Sequence, residues 1–142
     1  MSRAAVLDAI LNDPQLIAAG FDSTNVLPNF DGSQRPSDKM FMVLRWETED
    51  IGLKGDDSAQ IRGGRHVAIW VHMYREFSTD FVRIDNVLKQ IDDVLCNMVD
   101  VVGADGSTVT CIEQEGHSRD LRDDGYQTFC RSASYKVIGR IT

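Results

Sequence analysis

The sequence predicts a single α+β domain, residues 1–142, in which a mainly antiparallel four-stranded sheet packs against one long helix beside a short N-terminal helix. Between residues 80 and 102, apolar residues recur at alternating intervals of three and four, the spacing of one helical face. Around that segment lie stretches in which apolar and polar side chains alternate, as they do in strands. A helix with so wide an apolar stripe needs a sheet to cover it.

The N-terminal segment predicts two short helical pieces. Ser2 is a suitable N-cap for a first helix that ends near Asn12. Asp13-Pro14 then predicts a second cap and first helical position, and Gly20 closes that piece. The polar stretch 21–38 predicts a long ordered loop or an arm that contacts a neighbouring chain, because loops of this length are often functional in small domains.

The four predicted strands cover residues 39–48, 65–75, 108–115 and 126–141. The second has the clearest alternation, and its apolar set is predicted to face the core: Val67, Ile69, Val71 and Met73. The alternate set is partly aromatic and suits an interface or an exposed sheet face: His66, Ala68, Trp70, His72 and Tyr74. The segments 49–64 and 116–125 are polar and predicted to be loops.

The long helix is predicted to run from Asp80 to Val102 and to stop at Gly103, a length of about 35 Å. Its apolar stripe comprises Phe81, Ile84, Leu88, Ile91, Leu95, Met98 and Val102, widened by Val87, Val94 and Val101. The stripe could mark a coiled coil, but the added valines and the four strands favour packing on a sheet.

The net charge of −7 argues against tight binding of duplex DNA. Such binding needs concentrated Lys and Arg, because affinity comes from the release of counterions, and the basic residues here are scattered. An acidic surface is compatible with DNA that passes nearby without adhering, since like charges repel.

The cysteines and the N-terminus predict a protein made and folded in a cytoplasm. Cys96, Cys111 and Cys130 form no close-spaced pair, and an odd count favours reduced thiols. Residues 1–6 lack the apolar segment of a signal peptide, and no stretch approaches the roughly 20 apolar residues that cross a bilayer.

No metal or cofactor site is predicted. His66 and His72 are separated by about 20 Å along one strand, so they cannot share an ion within one chain, and zinc sites use close ligand pairs. His117 and Cys111 do not supply such a pair. A cysteine nucleophile needs a nearby base and an electropositive setting, and all three cysteines are expected to be structural, with Cys96 partly buried.

The cluster Asp120, Asp123 and Asp124 is interleaved with Arg119 and Arg122, which would neutralise a cation site. It is predicted to be either a solvated turn or an ion-paired contact between subunits.

The order of elements and several segments are similar to tail terminator proteins of long-tailed, non-contractile bacteriophages, especially those of actinobacterial hosts. The segments that carry the resemblance are 43–47, 65–72, 80–92, 116–126 and 131–137. It covers most of the chain from Lys39 onward and rests on an overall pattern, without a catalytic signature.

The resemblance implies a ring, usually a hexamer, that caps the completed tail tube at the neck end of the virion tail, after assembly in the host cytoplasm. Its partners would be copies of itself, the tail tube protein and a head–tail connector or head-closure protein. DNA would pass through the lumen without specific binding. No cofactor and no reaction belong to that role.

Under this hypothesis Arg45, Glu47 and segment 49–64 of one copy would face segment 119–124 of the next. The residues expected at the subunit interface are Arg45, Glu47, Arg65, Trp70, His72, Arg119, Asp120, Arg122, Asp123 and Asp124. Two alternatives stay open. One is a head-closure or tube protein of related fold. The other is a small cytosolic cysteine or carboxylate enzyme, which would place Cys111 or Cys130 beside a histidine in a concave pocket.

Overall fold

The computed structural model describes residues 3–29, 39–51, 61–77 and 80–141, and within those ranges the chain forms seven strands and three short helices. In chain order the elements are α1 (Arg3–Leu11), α2 (Pro14–Ala18), β1 (Val26–Leu27), β2 (Phe41–Ile51), β3 (Ile61–Tyr74), α3 (Val82–Cys96), β4 (Val101–Val102), β5 (Thr108–His117), β6 (Leu121–Asp123) and β7 (Thr128–Ile141).

The predicted fold class, a four-stranded antiparallel sheet on one long helix, is wrong. The described residues are mostly β: one mixed sheet curls into a half-barrel with the strand order β1-β2-β3-β7-β5-β4, and β6 pairs with β7. Only the β1–β2 pair is parallel among these strands. The missed strands β1, β4 and β6 have two or three residues each, too few for an alternating pattern to appear.

Helix α3 is also shorter than predicted, about 22 Å from Val82 to Cys96. Asn97 caps its end, where the side-chain Nδ2 donates to the carbonyl oxygen of Asp93 at 2.6 Å. Asp100 then adopts a left-handed backbone with φ of 52° and turns the chain into β4. The apolar spacing continues past the end of α3, but Val102 is exposed and lies outside the helix. The spacing therefore predicted too late an end for α3.

The predicted break between the two N-terminal helices is confirmed, while the bounds of β2 and β3 differ from those predicted. The helical break falls at Asp13, whose Oδ2 accepts from the backbone N–H of Leu16 at 3.0 Å. Strands β2 and β3 extend further than predicted into the segment that was expected to be a loop. Residues 49–51 of β2 pair with β3, and residues 61–64 of β3 pair with β7. The remainder of that predicted loop, 52–60, and residues 30–38 of the predicted arm lie outside the described residues.

The hydrophobic core lies between the helices and the inner face of the sheet, which is the face toward α3. The predicted stripe is buried at Ile84, Leu88, Ile91 and Leu95. The predicted core set of β3 is also buried against it: Val67, Ile69, Val71 and Met73. This apolar burial is the main stabilising term, worth about 1.5–3 kcal/mol for each large aliphatic side chain.

Polar contacts fix α3 on this inner face. The hydroxyl of Tyr135 donates to Oδ1 of Asp92, and His117 Nε2 lies 2.8 Å from Asp92 Oδ2. Nearer the start of α3, Arg131 Nη1 lies 2.5 Å from Asp85 Oδ1. Burial, followed by the hydrogen bond to Asp92, raises the pKa of Tyr135, so the phenol stays protonated. No helix within the described ranges is long and apolar enough to cross a membrane.

Candidate functional site: the outer sheet face

The outer face of the sheet, which points away from α3, carries a second apolar cluster. Phe41 lies opposite His72 and Val43 opposite Trp70 in the β2–β3 register, and residues that face each other in a ladder share a face. Leu27, Phe41 and Val43 form the cluster and are almost fully buried. The partly buried rings that pack against it belong to Trp70, Tyr74 and Tyr126.

His72 lies at the centre of this aromatic cluster. Its ring stacks on Phe41 with centroids 4.6 Å apart and planes 2° from parallel, and Tyr126 meets it edge-on at 5.3 Å. Nδ1 of His72 is 2.8 Å from Oγ1 of Thr128. Burial lowers the pKa of His72 to about 4, against a smaller opposing effect of Asp123. The imidazole is therefore neutral at pH 7.

Beside the aromatic cluster lies a concave site of about 200 Å³, here called the outer cleft. Its lining residues are Arg45, Trp70, His72, Asp123 and Cys130. Four of these were among the predicted interface residues, so the structure brings Arg45, Trp70, His72 and Asp123 together. The fifth lining residue, Cys130, was not among the predicted interface residues. Cys130 becomes a neighbour of His72 through the β3–β7 register, which no local pattern reveals.

Three of the predicted acidic and basic residues are paired within the chain at the β6 end of this face. Asp124 Oδ1 lies 2.5 Å from Nη2 of Arg75 and 3.0 Å from Nε of Arg122. Asp120 Oδ1 lies 3.5 Å from Nε of Arg131. Hydrogen bonds from Arg75 and then Arg122 lower the pKa of Asp124. Sequence reasoning missed Arg75, which lies 49 residues before its partner.

The remaining predicted interface residues lie apart from the cleft. Glu47 is exposed where the β2–β3 register shifts, and Arg119 is exposed in the connection before β6. Arg65 alternates with the outward-facing residues of β3 and lies on the inner side. Its guanidinium carbon is 5.5 Å from the ring centroid of Trp46. The guanidinium carbon of Arg3 lies 5.7 Å from the same centroid.

The outer cleft has the residue types of a cysteine nucleophile site, with Cys130, His72 and Asp123 along its walls. Its electrostatics oppose that chemistry. Burial, with a further contribution from Asp123, raises the pKa of Cys130 to about 11. His72 is held neutral by burial, and its Nδ1 engages Thr128. A nucleophilic cysteine needs its thiolate form, and here the thiol stays protonated at neutral pH.

Metal chemistry has no support in the described part of the chain, where no three His, Cys, Asp or Glu side chains are grouped to hold an ion. The three histidines have separate partners. His66 Nδ1 lies 2.6 Å from Glu115 Oε1, His72 contacts Thr128, and His117 contacts Asp92 on the inner face.

Comparisons with known proteins identify the fold. No protein-family model and no curated protein matches the sequence. Among solved structures, the chain is similar to a chain from the virion of a native gene transfer agent particle, with a TM-score of 0.72 and 15% sequence identity. The match covers 99% of this chain and 95% of that chain. The two proteins therefore share one fold along nearly their whole lengths.

Proposed function

We propose that this protein is a structural component of a phage-like virion, and specifically a tail terminator that assembles as a ring on the completed tail tube. The family resemblance gives the proposed ring six copies. The observation that carries the proposal is the end-to-end match in fold with a chain of a gene transfer agent virion. The sequence resemblance to tail terminators supports the same role. In this role the ring ends tube polymerisation and offers a docking surface to the head.

The outer face supports a role in assembly. Arg45 and Trp70 line an open cleft beside the aromatic cluster, and aromatic and Arg side chains are the residue types enriched at protein interfaces. We propose that the outer cleft contacts a neighbouring chain of the tail. Exposed Glu47 and Arg119 do not line the cleft but are close in sequence to Arg45 and Asp123, and we propose that they extend the same contact. Arg45 and Asp123 belong to one surface of one copy, so this surface supplies one side of such a contact.

The proposed partners are further copies of this chain, the tail tube protein and a connector or head-closure protein. The net charge of −7 on each copy supports a lumen through which DNA slides without specific binding, because the phosphates are repelled. The location that follows is the neck end of the virion tail, with assembly in the host cytoplasm.

Native mass spectrometry and negative-stain electron microscopy of the purified protein test the ring. We expect closed rings with a central hole at micromolar concentration, alone or after addition of tube protein. A protein that stays monomeric under both conditions would exclude the proposal.

A polymerisation assay separates the terminator from the related alternatives. Added to assembling tube protein, a terminator shortens the tubes in proportion to its concentration and is found at one tube end. A tube protein would instead extend along the tube. A head-closure protein would leave tube length unchanged.

A cysteine enzyme is the second candidate, and the observation in its favour is the meeting of Cys130, His72 and Asp123 in one cleft. The raised pKa of Cys130 weighs against it. Thiol reactivity decides between the two, as set out in the Discussion.

A further inference from the structure

A ring of identical subunits needs two different, separated patches on each copy, because every contact around the ring is heterologous. The outer cleft is one surface and does not provide such a pair. The two ends of α3 do provide one. A groove lies beside its N-terminal half, and an exposed valine turn follows its C-terminus.

The groove runs between α2 and α3. Its centre has a volume of about 280 Å³ and is lined by Ala19, Met40, Arg83, Asn86 and Val87. It extends past Lys39 and Phe77 on one side and along Gln15, Leu16 and Gln90 on the other. The described lining residues thus combine an apolar floor with two cations and include no carboxylate.

The cation at the centre of the groove is available to a partner. Lys39 is partly engaged, since its Nζ lies 3.8 Å from Asp22 Oδ2. Arg83 is exposed and has no ion-pair partner within the described part of the chain. Two large apolar side chains beside the groove are also exposed, Val82 by 54% and Phe77 by 45%. This surface suits a segment that carries both apolar side chains and a carboxylate.

Residues 99–102, here called the valine turn, comprise the turn after α3 and the short strand β4, and they have that composition. Val99 is exposed by 62% and Val102 by 66%, the two highest exposures among the large apolar side chains described. Asp100 lies between them with φ of 52°, a conformation that costs a residue other than glycine roughly 1 kcal/mol or more. No Lys or Arg occurs between residues 90 and 118, so the negative charge of Asp100 has no basic neighbour in the local sequence.

We propose that the valine turn of one copy docks in the α2–α3 groove of the next copy, with Asp100 facing Arg83. The two patches are separated by the length of α3, about 22 Å, so they cannot meet within one chain. Their complementary charge and matched exposed apolar surface select a second copy as the occupant. This inference rests on the proposed ring and names the contact that closes it.

Two substitutions test the contact. Val99→Asn replaces an exposed apolar side chain of the turn with a polar one and adds no charge, and Arg83→Glu reverses the charge in the groove. Ile17→Glu is the matched control, because Ile17 is exposed by 53% and does not line the groove. Native mass spectrometry across a concentration series should show wild-type oligomers for the control. Each test variant should need at least about tenfold more protein to assemble.

Mixing the two variants gives the sharper result. The Val99→Asn variant keeps an intact groove, and the Arg83→Glu variant keeps an intact turn. In an equimolar mixture the intact turn can dock in the intact groove, but the altered turn and the altered groove cannot extend the assembly. We expect a heterodimer and no larger species. Circular dichroism of each variant confirms that the fold is retained.

The outcomes separate this inference from the ring itself. If either variant assembles as well as wild type, the groove–turn contact is overturned while the ring stands. A mixture that stays monomeric also overturns it. If wild type and control never assemble, with or without tube protein, the ring proposal fails and the inference fails with it.

Discussion

The two faces of the sheet are built from different chemistry. The inner face is continuous and mainly aliphatic, with Tyr135 as its largest buried ring, and α3 covers it with a stripe of aliphatic residues. The outer face buries Phe41 and Val43 under aromatic rings and then opens into a cleft lined by charged and aromatic groups. The inner face therefore provides most of the stability, and the outer face is the surface that we propose contacts a neighbouring chain. Substitutions on each face test this division.

The largest expected effect is on the inner face. Leu88→Ala removes a fully buried side chain from the centre of α3 and should lower the free energy of unfolding by about 2–5 kcal/mol. Urea unfolding followed by circular dichroism measures the change. Val82→Ala, at an exposed position of the same helix, is the control and should change it by less than about 0.5 kcal/mol. Equal losses in the two variants would mean that α3 does not cover the core.

The second effect is on the outer face and depends on pH. The pKa of His72 falls from 6.5 to about 4 on folding, so the unfolded chain takes up a proton more readily than the folded one. Neutral His72 therefore contributes fully to the free energy of unfolding above pH 6.5. This contribution declines as the pH falls and is lost below about pH 4, a change on the order of 3 kcal/mol. His72→Phe keeps a ring on Phe41 and removes the titration.

Urea unfolding of wild type and His72→Phe between pH 7 and 4 measures this difference. Carboxylates titrate in both proteins, so the difference between their two slopes isolates the histidine. The wild type should lose stability more steeply as the pH falls. Parallel slopes would show that His72 is solvated, and the outer aromatic cluster would then be looser than the inner core.

The inner face was largely predictable from the sequence, because its signal is local. Helical spacing located the stripe from Ile84 to Leu95, and alternation located the core set of β3. The end of α3 was missed because the apolar spacing continues into Val102, while a cap at Asn97 and the left-handed Asp100 stop the helix. Apolar spacing indicates which residues share a buried face, but it does not locate the residue at which the helix ends.

The outer cleft was predictable only as a set of residues. Arg45, Trp70, His72 and Asp123 were all expected at an interface, but the sequence assigned Arg45 and Asp123 to opposite sides of a contact between copies. Their meeting depends on the pairing of β2 with β3, of β3 with β7 and of β7 with β6. Such long-range register is set by the whole sheet, so no window of sequence contains it.

A third prediction concerns the reactivity of Cys130. Its pKa is raised to about 11, against 9 for an ordinary thiol, so its thiolate fraction at pH 8 falls by about a hundredfold. Alkylation by iodoacetamide, followed site by site with mass spectrometry, should be at least about a hundredfold slower at Cys130 in the folded protein than in urea. Exposed Cys96 serves as the internal control for reagent activity.

The opposite result would change the interpretation of the outer face. If Cys130 reacted faster in the folded protein than in urea, its thiolate would be stabilised in the cleft. The cysteine-enzyme alternative would then gain support, and the outer face would be a reaction site.

The smallest expected effect is at the turn that carries Tyr126 over the outer aromatic cluster. Gln127 has φ of 55°, where a side chain is strained, and its carbonyl accepts from the backbone N–H of Arg75 at 3.3 Å. Gln127→Gly should raise the free energy of unfolding by about 0.5–1 kcal/mol, because glycine adopts this conformation without steric cost. Gln127→Ala retains a Cβ and should give no gain, as thermal unfolding would show. A gain in both variants would place the benefit in the lost side chain and not in the backbone. A gain with glycine alone, joined to weaker assembly, would mean that the strained turn holds Tyr126 in the position that a partner chain recognises.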